Sequence, residues 1–222
     1  MRMVYGFSSG NRISTAIKAA EAWRKAGFIL ACTTWDIHTA HILQPHVDYM
    51  SCQERKSWGD WHNLRMDEVP DWDVYVCGND DILPKTNVGM IEEFAKTYPG
   101  MLLGVGTDIQ ASSMPIITRG WYETHRPVFD SQFTHYFTDY DAVWRALVEE
   151  KFRICREIDY DHIHETQEKS ATEVISHEFW DIHESHIHQH DADRLRLLEK
   201  WANNPDIWKY TKISIPWPLK EA

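Results

Sequence analysis

Apolar positions in the first half of the chain fall into two patterns that take turns. Continuous apolar runs at Met3 to Ser8, Phe28 to Thr34, Val47 to Cys52, Val74 to Gly78 and Met101 to Val105 predict strands, the longer ones buried on both faces. Between the first two, Ile13, Ile17, Ala20 and Trp23 recur at three- and four-residue spacing. They predict a helix from Ile13 to Ala26, with Asn11 or Ser14 available as a cap and Gly27 at its end. Pro84 predicts the start of a second helix, lined by Val88, Ile91, Phe94 and Ala95 and closed by Pro99-Gly100. Strand and helix in alternation imply an α/β fold around a mostly parallel sheet.

The second half is less regular. Pro115 to Arg119 reads as extended and Tyr140 to Lys151 as a helix with Val143, Leu147 and Val148 inward. Phe152 to Ile158 reads as an edge or return strand, and Ala192 to Ala202 as a helix ahead of a Trp- and Pro-rich tail. No internal repeat, low-complexity linker or domain boundary stands out.

Composition narrows the class. The 222 residues are 43% hydrophobic and 13% aromatic, which excludes a disordered chain and suffices for a sizeable core. No apolar run approaches the roughly 18 residues needed to cross a bilayer. The first residues lead straight into a polar turn, unlike a signal peptide. Cys32, Cys52, Cys77 and Cys155 form no Cys-x-x-Cys pair, so reduced thiols in a cytoplasmic protein are expected. The net charge is −11. It is concentrated from Glu157 to Asp193, where 11 acidic residues face one lysine and seven of the 13 His occur. The remainder is nearly neutral, with 23 acidic and 22 basic residues, so acidity argues against a nucleic-acid partner only near that stretch.

Four segments carry candidate chemistry. A buried strand runs into Asn79-Asp80-Asp81, and open α/β sheets bind ligands outside the carboxyl ends of strands. Adjacent carboxylates there suit a hard divalent cation bridging to phosphate, and equally an Asn-Asp turn capping a helix. Asp139 falls at a helix N-terminus, which keeps a carboxylate ionised and suits either a general base or a cap. His162 and His164 share a face if their strand continues, as metal ligands or as solvated surface. His177 to His190 interleaves with carboxylates and meets no standard zinc spacing, so a solvated acidic segment is the plainer reading. Trp23, Trp144 and Trp201 read as core. Trp35, Trp58, Trp61 and Trp121 are expected near strand ends or in loops, where rings stack on sugars or bases.

Taken in order, these segments resemble a family-2-type glycosyltransferase of the GT-A fold over roughly Val4 to Glu165. Phe7-Ser8-Ser9-Gly10-Asn11-Arg12 is similar to the family's first strand and following turn. Asn79-Asp80-Asp81 resembles its DxD motif, with Asn in the first place. Thr138-Asp139-Tyr140-Asp141 with Arg145 resembles its Glu-Asp-x-Asp-x-x-x-Arg motif, with Thr in place of Glu. Asp161-His162-Ile163-His164 resembles the late His segment.

The resemblance implies a Rossmann-like, mixed and mostly parallel sheet flanked by helices, with a C-terminal helical segment. Residues 1–165 would form the core, with a nucleotide half to about 83 and an acceptor half from about 84. Residues 166–222 would pack on it. The implied activity is inverting transfer from a nucleotide-sugar, a UDP-sugar foremost, to an acceptor hydroxyl. Asp139 is the implied base. Asp81, His162, Asn79 and His164 are the implied ligands of Mn²⁺ or Mg²⁺. Ser8, Arg12, Asp36, Asn63 and Asp80 are placed on the donor side, and Arg119, Trp121 and Asp141 on the acceptor side. The acceptor would be a glycan or, in a phage-type system, a hydroxymethylated DNA base. A sugar-nucleotidyltransferase or a non-catalytic nucleotide- or glycan-binding module are the other readings.

Overall fold

A computed structural model describes residues 1–10, 12–54, 56–85, 88–105, 114–134, 137–163, 189, 191–204 and 206. Among the described residues there are nine strands and six named helices. They are β1 (Met3–Ser8), α1 (Ile13–Lys25), β2 (Ile29–Thr34), α2 (Ile37–Leu43), β3 (Tyr49–Cys52), α3 (Trp58–Glu68), β4 (Val74–Cys77) and β5 (Ile82–Pro84). After these come α4 (Met90–Thr97), β6 (Leu102–Val105), β7 (Ile116–Thr118), α5 (Arg119–Thr124), α6 (Thr138–Val148), β8 (Phe152–Cys155) and β9 (Tyr160–His162). Residues 191–201 are also helical.

Seven strands form one sheet in the order β3-β2-β1-β4-β7-β6-β8, and β5 pairs with β9 in a separate ribbon. The β1–β2, β2–β3, β1–β4 and β6–β8 pairs are parallel, whereas β7 runs antiparallel to both β4 and β6. The fold is therefore the expected mixed α/β, Rossmann-like sheet flanked by helices. The chain winds outward from β1 to β3 and then returns to the other side of β1 as β4. That reversal leaves a crevice at the carboxyl ends of β1 and β4, where open α/β sheets bind ligands.

Each face of the sheet buries its own core. Tyr5, Trp23, Leu30, Val76, Ile91, Leu103 and Ile116 belong to one. Val4, Met66, Trp72, Tyr75, Phe129, Trp144 and Trp201 belong to the other. Alternate residues of β1 and β4 serve opposite faces, as the period of a strand requires. The two strands interlock through glycine. The Tyr5 ring lies where a Cβ on Gly78 would be, 2.2 Å from its nearest atoms, and the Tyr75 hydroxyl lies 1.8 Å from the Cβ position of Gly6.

Two expectations are corrected. Pro84 ends a strand and does not begin a helix, because Pro84 pairs with Tyr160 in the β5–β9 ribbon. The helix starts later, at Met90. Trp58 and Trp61 lie on α3 and Trp121 on α5, where it is fully buried, so these are not loop residues. Gly27 does adopt a positive φ, +93°, after α1, a conformation open to glycine without a Cβ penalty. No helix among the described residues is long and apolar enough to cross a membrane.

Candidate functional site

The turn after β4 is held at several backbone positions. The Tyr5 hydroxyl donates to the Asn79 carbonyl at 2.7 Å, and the Trp23 indole N–H to the Ile82 carbonyl at 2.9 Å. The Ile163 N–H donates to the Asp81 carbonyl at 2.8 Å, which brings the end of β9 against the same turn. The Asn79 side-chain oxygen accepts from the Trp58 indole at 2.9 Å, tying the turn to α3. A backbone held by this many donors presents its side chains in one orientation.

Asp80 and Asp81 are both buried. The Ser9 hydroxyl donates to Asp80 at 2.9 Å, and the Arg12 guanidinium spans the pair, contacting Asp80 and reaching Asp81 Oδ2 at 2.6 Å. Burial pushes the Asp80 carboxyl up to about 6, although Arg12 and Ser9 pull it down. The carboxyl ends of β1 and β4 thus converge on one carboxylate–guanidinium group.

Asp139 lies in the first turn of α6. Burial raises the pKa of the Cys77 thiol, the last residue of β4, and the charge of Asp139 raises it further, so Asp139 lies within electrostatic reach of that strand end. Burial pushes the Asp139 carboxyl up to about 6, held back by the backbone N–H groups of Tyr140 and of Asp139 itself. A continuous path links it to the acidic turn. Gly59 packs against Thr138 and Phe129, and its neighbour Trp58 bonds Asn79. Behind Trp58 sits His62, whose Nδ1 meets the Tyr75 hydroxyl at 3.2 Å. Burial lowers its pKa to about 3, so this imidazole is neutral. Trp35 stacks on Trp61 of α3 with centroids 5.4 Å apart and covers Gly10. Trp35 is 42% exposed beside the β1 turn.

The other expected site residues have different engagements. Asp36 caps α2 by accepting from the Thr39 N–H at 2.7 Å, which lowers its pKa. Asn63 spends both ends of its amide on the backbone of Phe129, donating at 2.7 Å and accepting at 3.0 Å. Asp141 is fully buried and receives Trp201 at 2.8 Å, Lys200 at 2.9 Å and Arg145 at 3.2 Å, so it anchors the helix at 191–201 to α6. Arg119 and Trp121 follow β7, which is antiparallel to β4 with Thr118 opposite Val74. They consequently lie at the start of β4, away from the acidic turn. Ser8 ends β1 at the site. His162 lies on β9 opposite Ile82, but its side chain and all of His164 fall outside the described residues.

Among the described residues no three His, Cys, Asp or Glu side chains converge as a metal cage. Asp80 and Asp81 nonetheless supply the hard oxygen donors that Mg²⁺ and Mn²⁺ accept. Such ions are often held by one or two carboxylates, with phosphate oxygens and water completing the shell, so the donor set fits a cation brought in with a nucleotide.

Ser9, Tyr5 and Trp23 are site residues beyond those expected, and Trp58, expected as a stacking ring, instead holds the turn through its indole N–H. Ser9 has a local signal, a hydroxyl just past an apolar run. The indole and phenol donors have none, since their partners lie 21 to 74 residues away.

No family model and no curated protein matches the chain. Several solved structures resemble it in shape. A CMP:2-keto-3-deoxy-manno-octonic acid synthetase solved with CTP shares 10% identity over 69% of this chain and 89% of that one, at a TM-score of 0.47. A protein assigned as a glucose-1-phosphate thymidylyltransferase from Bacillus anthracis, solved with sucrose, shares 11% over 72% and 89%, at 0.50. A protein from STIV shares 10% over 74% and 86%, at 0.45. The likeness to the Bacillus protein is one of fold.

Proposed function

We propose that this chain is an inverting glycosyltransferase that uses a nucleoside-diphosphate-sugar, a UDP-sugar foremost. The observation that carries the reading is the pairing of Arg12 with the buried Asp80 and Asp81 at the strand reversal, with Asp139 within electrostatic reach of Cys77 at the end of β4. Trp35 beside them offers a surface for a planar base. The acceptor class is a glycan or a hydroxymethylated DNA base, the latter in a phage-type system. Four free thiols support a cytoplasmic setting.

Asp81 and Asp80 would hold Mn²⁺ or Mg²⁺, with His162 on the neighbouring strand as a further ligand. When bound, the ion supplies Lewis-acid stabilisation of the leaving diphosphate. Arg12 carries positive charge to the phosphates, and Trp58 with the β4 turn closes the floor of the crevice. Asp139 accepts the proton of the acceptor hydroxyl. The acceptor oxygen forms a bond to the anomeric carbon from the face opposite the phosphate, and the C–O bond to the diphosphate breaks with its electrons on phosphate. A carboxyl near 6 is ionised at neutral pH yet more basic than an exposed aspartate, which suits that task.

The test is a hydrolysis panel with UDP-, GDP- and dTDP-sugars, with and without Mn²⁺. The expected result is slow, metal-dependent release of nucleoside diphosphate from one donor. Formation of pyrophosphate from a nucleoside triphosphate and a sugar phosphate, without such release, would overturn it. That outcome would establish the sugar-nucleotidyltransferase reading, which the fold likeness to the Bacillus protein favours.

A further inference from the structure

We propose that Arg12 is an exchange residue, which occupies the acidic pair as an internal cation and leaves it for nucleotide phosphate when a divalent cation arrives. The inference rests on the transferase reading for its nucleotide, and its first test is independent of that reading.

Three observations carry it. The carboxylates are fixed and the cation is the movable member. The side chains of Asp80 and Asp81 are 2% and 8% exposed, whereas that of Arg12 is 33% exposed. The turn under the carboxylates is held by Tyr5, Trp23 and Ile163 through bonds that do not involve Arg12. Arg12 itself sits just ahead of α1 on the turn that follows β1, at the end of a flexible side chain. Departure of the guanidinium therefore leaves two buried like charges in place, and these require another cation.

The chemistry of the two partners makes the exchange favourable only when both arrive. A divalent ion alone must evict Arg12 from two carboxylates. A nucleoside diphosphate gives the guanidinium planar, bidentate oxygen partners of equal quality. Metal and nucleotide then bind with positive linkage beyond the direct contact between them.

The first test is Mn²⁺ binding without nucleotide, read as free Mn²⁺ by electron paramagnetic resonance. Arg12→Met and Arg12→Gln are expected to bind Mn²⁺ at least about tenfold more tightly than the natural chain, within the usual range of coupling between sites. Equal or weaker binding by the variants overturns the proposal. Should neither variant fold, the natural chain decides. With ¹⁵N-labelled arginine, the Arg12 Nε–H resonance is expected to shift with Mg²⁺ plus UDP and to stay unchanged with Mg²⁺ alone. A shift with Mg²⁺ alone, or none with both, overturns it. Failure of every nucleotide-sugar in the hydrolysis panel would instead remove the transferase reading, leaving the Mn²⁺ comparison to decide whether Arg12 competes for the carboxylates.

Discussion

Where β1 and β4 end, Arg12 faces Asp80 and Asp81. Where they begin, Arg119 and Arg126 face Trp72, Tyr122 and Asp67. Both ends combine arginine, carboxylate and aromatic side chains. At the amino end the groups satisfy one another in the open. Arg126 lies 4.5 Å from the Tyr122 centroid and pairs with Asp67, and the Tyr122 hydroxyl donates to the same carboxylate. Arg119 lies 5.0 Å from the Trp72 centroid and pairs with Glu123. Arg126 and Asp67 are each about half exposed, so water competes for every charge. At the carboxyl end the carboxylates are buried, Asp139 adds a further charge, and two pKa values are raised to about 6. The same residue types thus serve as a surface clasp at one end and as a buried charged group at the other. Burial of charge, more than residue identity, marks the chemical end.

Four substitutions set the two ends against each other. Asp139→Asn is expected to cut transfer by at least about 100-fold while nucleotide affinity, measured calorimetrically, stays unchanged. In the natural chain, activity should fall about tenfold per pH unit below about 6. The base is the ionised form, and a carboxyl raised to that value is lost as pH falls through it. An unchanged acid limb in a kcat profile would remove Asp139 from the role. Trp201→Phe deletes a donor to the buried Asp141 carboxylate and should lower stability by about 2 kcal/mol, read from urea unfolding. Trp35→Ala should weaken nucleotide binding about tenfold without altering the unfolding midpoint, as expected of a partly exposed ring that stacks on a base. Arg126→Ala, at the amino end, should change stability by less than about 1 kcal/mol and leave kcat untouched. A large loss of activity there would erase the distinction between the ends.

The sheet was legible because buried strands write themselves as unbroken apolar runs. Val74 to Cys77 is fully buried, preceded by Asp73 and followed by Gly78-Asn79. Trp23, Trp144 and Trp201 were legible as core from helical spacing. The β5–β9 ribbon was not, because three-residue strands carry no period, and Pro84 reads locally as a helix start. Nor was the direction of β7. An apolar run fixes burial and says nothing of polarity, and that single reversal carries Arg119 and Trp121 to the amino end. Within the site, the acidic turn and Asp139 stood out as carboxylates next to strand or helix ends. The pairing of Arg12 with Asp80 and Asp81 spans 68 and 69 residues, and only the β1–β4 neighbourhood creates it. Asp141 was read as part of a motif facing substrate, yet its partners Lys200 and Trp201 come from a helix 59 and 60 residues later.

The interlocked tyrosines and glycines of β1 and β4 also govern which histories of substitution are open to the chain. Alanine at position 78 would drive a methyl into the Tyr5 ring, and alanine at position 6 would meet the Tyr75 hydroxyl. Each glycine can therefore change only after its tyrosine has. Position 5 carries a further constraint, since its hydroxyl also holds the Asn79 carbonyl. A Tyr5→Phe step removes that bond but keeps the clash, and a Tyr5→Ala step relieves the clash but frees the acidic turn. Sign epistasis between positions 5 and 78 follows: the pair has a route to a foldable alternative, and that route passes through loss of the fixed turn.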